Sequence, residues 1–105
     1  MALFAVTTAK GPNWGQDRGI RDQQGWEAHA RFFDRLVEKG LVVLGGPIES
    51  HHRDEVALLV VEAADENELR STFGADPWAT SGVLRVKDVR TWTIWLGRSR
   101  LPSLR

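Results

Sequence analysis

Two short stretches carry residue types that could move a proton: Trp26-Glu27-Ala28-His29 and Asp76-Pro77-Trp78. Imidazole titrates at about 6.5 in its ordinary state, so a histidine can both give and take a proton at neutral pH. A nearby carboxylate would fix its tautomer. Helical periodicity sets His29 in the middle of an apolar face, in one arc with Phe32, Phe33, Leu36 and Val37. Two readings follow. His29 is either a neutral core residue satisfied by a backbone hydrogen bond, or an acid/base group lining a cleft. Asp76 has the same duality: aspartate ahead of proline is a natural helix N-cap with Pro at N1, and a capping carboxylate can also orient a histidine. Trp14, Trp26 and Trp78 read either as ordinary packing or as the aromatic wall of a small-molecule pocket. Arg21 is either a solvated loop residue or a clamp for a carboxylate or phenolate.

The other candidate motifs carry less. His51 and His52 are adjacent, so in an extended segment they point to opposite sides. With no cysteine in the chain and no third ligand at a familiar spacing, no metal site is expected. Gly11-Pro12-Asn13-Trp14-Gly15 lacks both the Walker pattern and a dinucleotide fingerprint. No Ser-His-Asp arrangement is signalled, and no cofactor is expected.

These residues need elements to hold them. Residues 2–8 carry β-formers and read as a first strand, followed by a long polar loop over residues 10–23. Helix 1 begins near Trp26, buries the face just described, exposes Glu27, Arg31, Asp34, Arg35 and Glu38, and stops at Gly40. Leu41 to Leu44 is apolar without alternation, as in a strand covered on both faces, and Gly45-Gly46-Pro47 is expected to end its pairing. Val56 to Val61 is a third strand. Asp65 and Glu68 have capping-box spacing ahead of Leu69 and Phe73 on a second helix. Asp76-Pro77 opens a further turn, and a long strand is expected from about Val83 to Leu96. In that last strand Asp88 and Arg90 share the phase of Leu84, Val86, Trp92, Ile94 and Leu96, a conflict that a bulge near Asp88 or a local change of environment would resolve, unless these charges line a polar interior or a subunit boundary.

The order β-α-β-β-α-β predicts an α+β, ferredoxin-like fold: a four-stranded antiparallel sheet with helices on one face. The other face would be bare. Trp92 or Trp95 would be costly to leave in water there, so a homodimer with sheets facing each other is expected.

The ordered set Trp26-x-x-His29-x-x-Phe32-x-x-x-Leu36-x-x-x-Gly40, Gly45-Gly46-Pro47 and Asp76-Pro77-Trp78 ahead of Gly82-Val83-Leu84 resembles the YCII-related family of the dimeric α/β-barrel superfamily. The resemblance spans about residues 3–96. It implies a ferredoxin-like protomer that pairs through its sheet, with a cleft between helices and sheet. It also implies that His29 and Asp76 form an acid/base pair. Members often carry an arginine three residues before the histidine; Trp26 stands there in this chain, and Arg21 or Arg18 could substitute. Some members resemble lyases or dehalogenases of hydroxylated rings. The function expected is cofactor-independent lyase or isomerase chemistry on a small cyclic or aromatic metabolite. His29 would be the base or acid, Asp76 its orienting partner, and Arg21, Trp14, Trp26 and Trp78 the groups holding the ring. The rival is a non-catalytic small-molecule-binding or accessory dimer.

Composition narrows the field further. The 105 residues suit one domain, taken as residues 1–97 with a basic C-terminal tail over 98–105. The charges balance at 14 Lys+Arg against 14 Asp+Glu, which invites neither nucleic acid nor an anionic membrane surface. The opening Leu3-Phe4-Ala5-Val6 is too short for a span and lacks a basic flank, so no signal peptide is expected. The lack of cysteine suits a reducing cytoplasm. The dimer is checked directly by light scattering at micromolar concentration. Twice the chain mass is expected, and a monomer would contradict it.

Overall fold

Ala2–Lys10 forms β1, a largely buried strand that is central because it pairs with a strand on each side. The computed structural model describes residues 1–101. After β1 come α1 (Trp26–Glu38), β2 (Val42–Pro47), β3 (Glu55–Ala63), α2 (Glu66–Phe73), α3 (Pro77–Ser81) and β4 (Leu84–Thr91). The strands lie in the order β2-β3-β1-β4, and every neighbouring pair is antiparallel. This is the α+β, ferredoxin-like arrangement, with α3 added ahead of the last strand.

The register decides which side chains face the helices. Phe4 pairs with Val61 and Val6 with Leu59, so these four share one face of the sheet. They pack with Leu36 of α1 and with Leu69 and Phe73 of α2 into the main core. A second cluster of Trp14, Val56, Trp78, Val83 and Leu84 fills the space beneath α3. The N-terminus of α2 is chemically closed. Asp65 accepts from the Glu68 N–H at 2.8 Å while Glu68 accepts from the Ala64 N–H at 2.9 Å, a capping-box exchange displaced by one residue.

The phase conflict in the last strand is resolved by a bulge. Thr7 pairs with Asp88, but Thr8 pairs with Val86, leaving Lys87 as the extra residue. Val86 and Val89 thereby face the core, and Asp88 and Arg90 turn to the helix-free side.

Two expected boundaries are corrected. β4 ends at Thr91 rather than Leu96. Thr91 already pairs with Phe4, and the Trp92 N–H donates to Leu3 at 2.8 Å, so β1 has almost no residues left to pair. Trp95 and Leu96 are accordingly 86% and 91% exposed. In β2, pairing continues through Gly45, Gly46 and Pro47. β2 is the sheet edge, where a proline removes no ladder bond to a further strand. Leu44, opposite Val60, faces the helix-free side and is 52% exposed, so within this chain the strand is covered on one face only. Of the expected basic tail, Arg98–Arg100 form a 3-10 turn, and residues 102–105, Arg105 included, lie outside the described residues.

An ion cluster ties the turn before β3 to β4. Asp54 accepts from Arg85 Nη2 at 2.9 Å and from Lys87 Nζ at 3.2 Å, and Lys87 also lies 3.4 Å from Glu55. Asp54 is held below its ordinary carboxylate value chiefly by the hydrogen bond from Lys87. Glu55 is lowered chiefly by the Ser50 hydroxyl. Lys87 is raised chiefly by its bond to Asp54. Depressed carboxylates stabilise the folded state above their unfolded values, and that contribution is lost as pH falls through the lower folded values. The raised lysine contributes at all lower pH and fades only as pH rises through its folded value. Lys87→Met should therefore give a small loss of stability at pH 7. Urea midpoints should show the gap to wild type narrowing as pH is lowered through about 4.

Candidate active site

The first turn of α1 and the cap of α3 meet over the second core cluster. Asp76 is the N-cap of α3, with Pro77 at N1, and its Oδ1 accepts from the Trp78 N–H at 3.1 Å. Both carboxylate oxygens lie 2.9 Å from His29 Nδ1. Against an ionised carboxylate Nδ1 is the donor, which leaves Nε2 with the free lone pair. One carboxylate thus serves as cap and as histidine partner together. Their side chains are only 12% and 5% exposed, so the pair sits where water screens it weakly.

Aromatic residues fix the imidazole in the remaining directions. The ring stacks on Trp78 with centroids 3.9 Å apart and an 11° interplanar angle. Phe33 meets it at 5.0 Å and Trp26 at 5.8 Å. Trp78 is itself locked: its Nε1–H donates to the Gln24 carbonyl at 2.8 Å, and Trp14 packs edge-on at 6.2 Å.

His29, Trp26, Trp78 and Phe33 line a cavity of about 420 Å³ between α1 and the sheet, within the usual range for small-molecule sites. Its far wall is the edge strand, where Gly45, Gly46 and Pro47 present little side chain. A Cβ on Gly45 would lie 3.0 Å from Leu59 Cγ, so this wall is closely packed as it stands. Asp34 is the other titratable side chain at the lining, and no lysine or arginine takes part.

The structure therefore brings together His29, Asp76, Trp26 and Trp78. It sets Trp14 behind Trp78, buried in the second core cluster rather than at the cavity. Arg21 is exposed in the 3-10 turn Ile20–Asp22 and does not line the cavity. Arg18 borders a separate cavity on the opposite side of Trp78. Among the described residues, no group of three or more His, Asp and Glu is close enough to hold a metal ion, and His51 and His52 are exposed. No helix among them is long and apolar enough to cross a membrane.

Sequence reasoning missed the residues that hold the loop. Gln23 is buried; its Oε1 accepts from the Gly15 N–H at 2.7 Å, and its Nε2 donates to the Gly15 and Arg18 carbonyls at 2.9 Å. Gly11 runs so close to α3 that a Cβ would fall 2.2 Å from the Gly82 oxygen, which only glycine tolerates. Phe33, seen as core periodicity alone, also faces the histidine.

The strand order and the single helical layer define a ferredoxin-like α+β protein. The YCII-related domain matches residues 3–93, and the chain belongs to that family. A similar solved structure is 5-chloro-2-hydroxyhydroquinone dehydrochlorinase from Burkholderia phenoliruptrix, in complex with 2,5-dihydroxybenzoquinone. It is 24% identical, with a TM-score of 0.64, covering 87% of this chain and 93% of the other. At that identity the likeness establishes the fold. No curated protein matches the chain.

Asp76→Ala should cost about 2–4 kcal/mol, combining a lost cap with a buried imidazole N–H left unpaired. Asp76→Asn retains a good cap and should cost less than half as much. Chemical denaturation of the two variants checks this ordering, and equal losses would contradict the double role.

Proposed function

We propose that this YCII-related protein is a small homodimeric enzyme performing cofactor-independent acid/base chemistry, of lyase or isomerase type, on a small cyclic or aromatic metabolite. The observation that carries the reading is a histidine held through Nδ1 by a buried carboxylate while its ring lines an apolar cavity. In this reading Nε2 removes a proton from a ring carbon or hydroxyl. Asp76 stabilises the imidazolium without itself taking the proton. The electron pair released forms a double bond as a leaving group departs, or the proton returns to another ring atom. Either outcome needs one acid/base centre and no redox partner.

Trp26 and Trp78 would flank the ring of the substrate, and Trp14 would act only by supporting Trp78. Arg21 and Arg18 stand outside the proposed contact set because neither lines the cavity. A lining without cations and with Asp34 near the mouth favours neutral hydroxylated rings or lactones over carboxylates. The similar fold that acts as a dehydrochlorinase and binds a dihydroxybenzoquinone supports the same chemical class. The proposed dimer uses the helix-free sheet face, where Leu58 and Leu44 are interleaved with Glu62, Asp88 and Arg90. The cysteine-free composition supports a cytoplasmic site of action.

A panel of hydroquinones, chlorinated hydroquinones and lactones tests the proposal. Turnover of at least one is expected, with His29→Gln lowering kcat roughly 10²–10⁴-fold while the thermal midpoint changes little. Tight binding without turnover would favour the non-catalytic ligand-binding dimer, and full activity in His29→Gln would exclude the mechanism.

A further inference from the structure

Behind the His29–Asp76 pair lies a feature that the proposed chemistry does not use. Thr8 projects from β1 toward the helices, opposite Val86. It is 3% exposed, and among the described residues its Oγ1 is the one buried side-chain polar atom without a hydrogen-bond partner. Leaving a hydroxyl in that state costs about as much as a hydrogen bond contributes, or more. Thr8 borders a small cavity of about 20 Å³ whose walls also include Asp76, Phe33, Phe73 and Val86. A water molecule needs roughly 10–15 Å³ of such space and two or more polar partners.

Asp76 can supply the second partner. A carboxylate offers about four acceptor directions, and Asp76 is engaged by the Trp78 N–H on Oδ1 and by His29 Nδ1–H shared between its oxygens. Oδ2 thus retains acceptor capacity. The other charged group at this pocket is Arg85 of β4, whose guanidinium is committed to Asp54 at 2.9 Å. Asp34 lines the larger cavity on the other side of the imidazole.

We propose that this pocket is a built site for one ordered water, bridging the Thr8 hydroxyl to the Asp76 carboxylate and so positioning Asp76 against His29. The water accepts from or donates to Thr8 and donates to Asp76, which removes the orphan hydroxyl and fills the carboxylate's open acceptor site. Thr8 is a positioning residue. Its meaning for catalysis rests on the function proposed above, whereas the water site itself does not.

A high-resolution crystal structure of the wild-type protein, combined with Thr8→Val and Thr8→Ser, tests this. Density is expected in the pocket within about 2.7–3.2 Å of both Thr8 Oγ1 and an Asp76 oxygen. Thr8→Val, close in shape but without the hydroxyl, should lower Tm by roughly 4–8 °C, the shift for one net hydrogen bond in a domain of this size. It should also move the His29 Nδ1–H proton resonance, which Thr8→Ser should leave in place. A dry pocket would overturn the proposal, as would a Thr8→Val protein with a raised Tm and an unmoved resonance. None of these readouts requires turnover. An active enzyme with a dry pocket sinks the water site alone, and a hydrated pocket in an inactive protein sinks the catalytic reading alone.

Discussion

A buried carboxylate has to be hydrogen-bonded or it destabilises its surroundings, and this requirement at Asp76 organises the site. Three separate needs converge on one side chain. α3 is a single short helix whose first N–H groups require an acceptor, His29 requires a partner for Nδ1, and the charge itself requires donors. Meeting all of them together fixes the start of α1 against the start of α3. Trp78 completes the constraint, because it directly follows Pro77 and lies flat beneath the imidazole. Removing the carboxylate would therefore disturb helix orientation, ring orientation and local charge at once.

The scaffold contributes complementary features. The central strands β1 and β3 form the floor beneath the helices, and at Gly46 of the edge strand, where an added Cβ would meet nothing within 4 Å, the volume stays open that a bulkier residue would fill. The result is an apolar chamber with one histidine at its wall. Ferredoxin-like folds host many unrelated activities. The case for proton transfer therefore rests on the side chains around His29 rather than on the arrangement of strands.

The fold was readable where local chemistry and tertiary packing agree. The face of α1 containing His29 and Leu36 followed from spacing, the Asp65–Glu68 cap from residue type, and the bulge beside Asp88 was one of the ways to remove a contradiction of phase. The misjudged boundaries depended on partners remote in sequence. β4 stops because β1 runs out of residues, and β2 continues through Pro47 because it is an edge; neither fact is written in the strand concerned. In the site, His29 and Asp76 stood out because a titratable residue on an apolar face and an Asp-Pro step are unusual locally. Gln23 and Thr8 left no such signal, since a loop glutamine and a strand threonine are ordinary until their burial is known. Trp14 shows the opposite problem: its type suggested a pocket wall, and its burial behind Trp78 assigns it to support.

The most direct test of the account is ring ¹⁵N NMR of His29 across neutral pH, in wild type and in Asp76→Asn. The Nδ1-protonated tautomer is expected in wild type, with a changed tautomer balance in the variant. The same ring spectrum in both proteins would contradict this and leave His29 as a structural residue of the core.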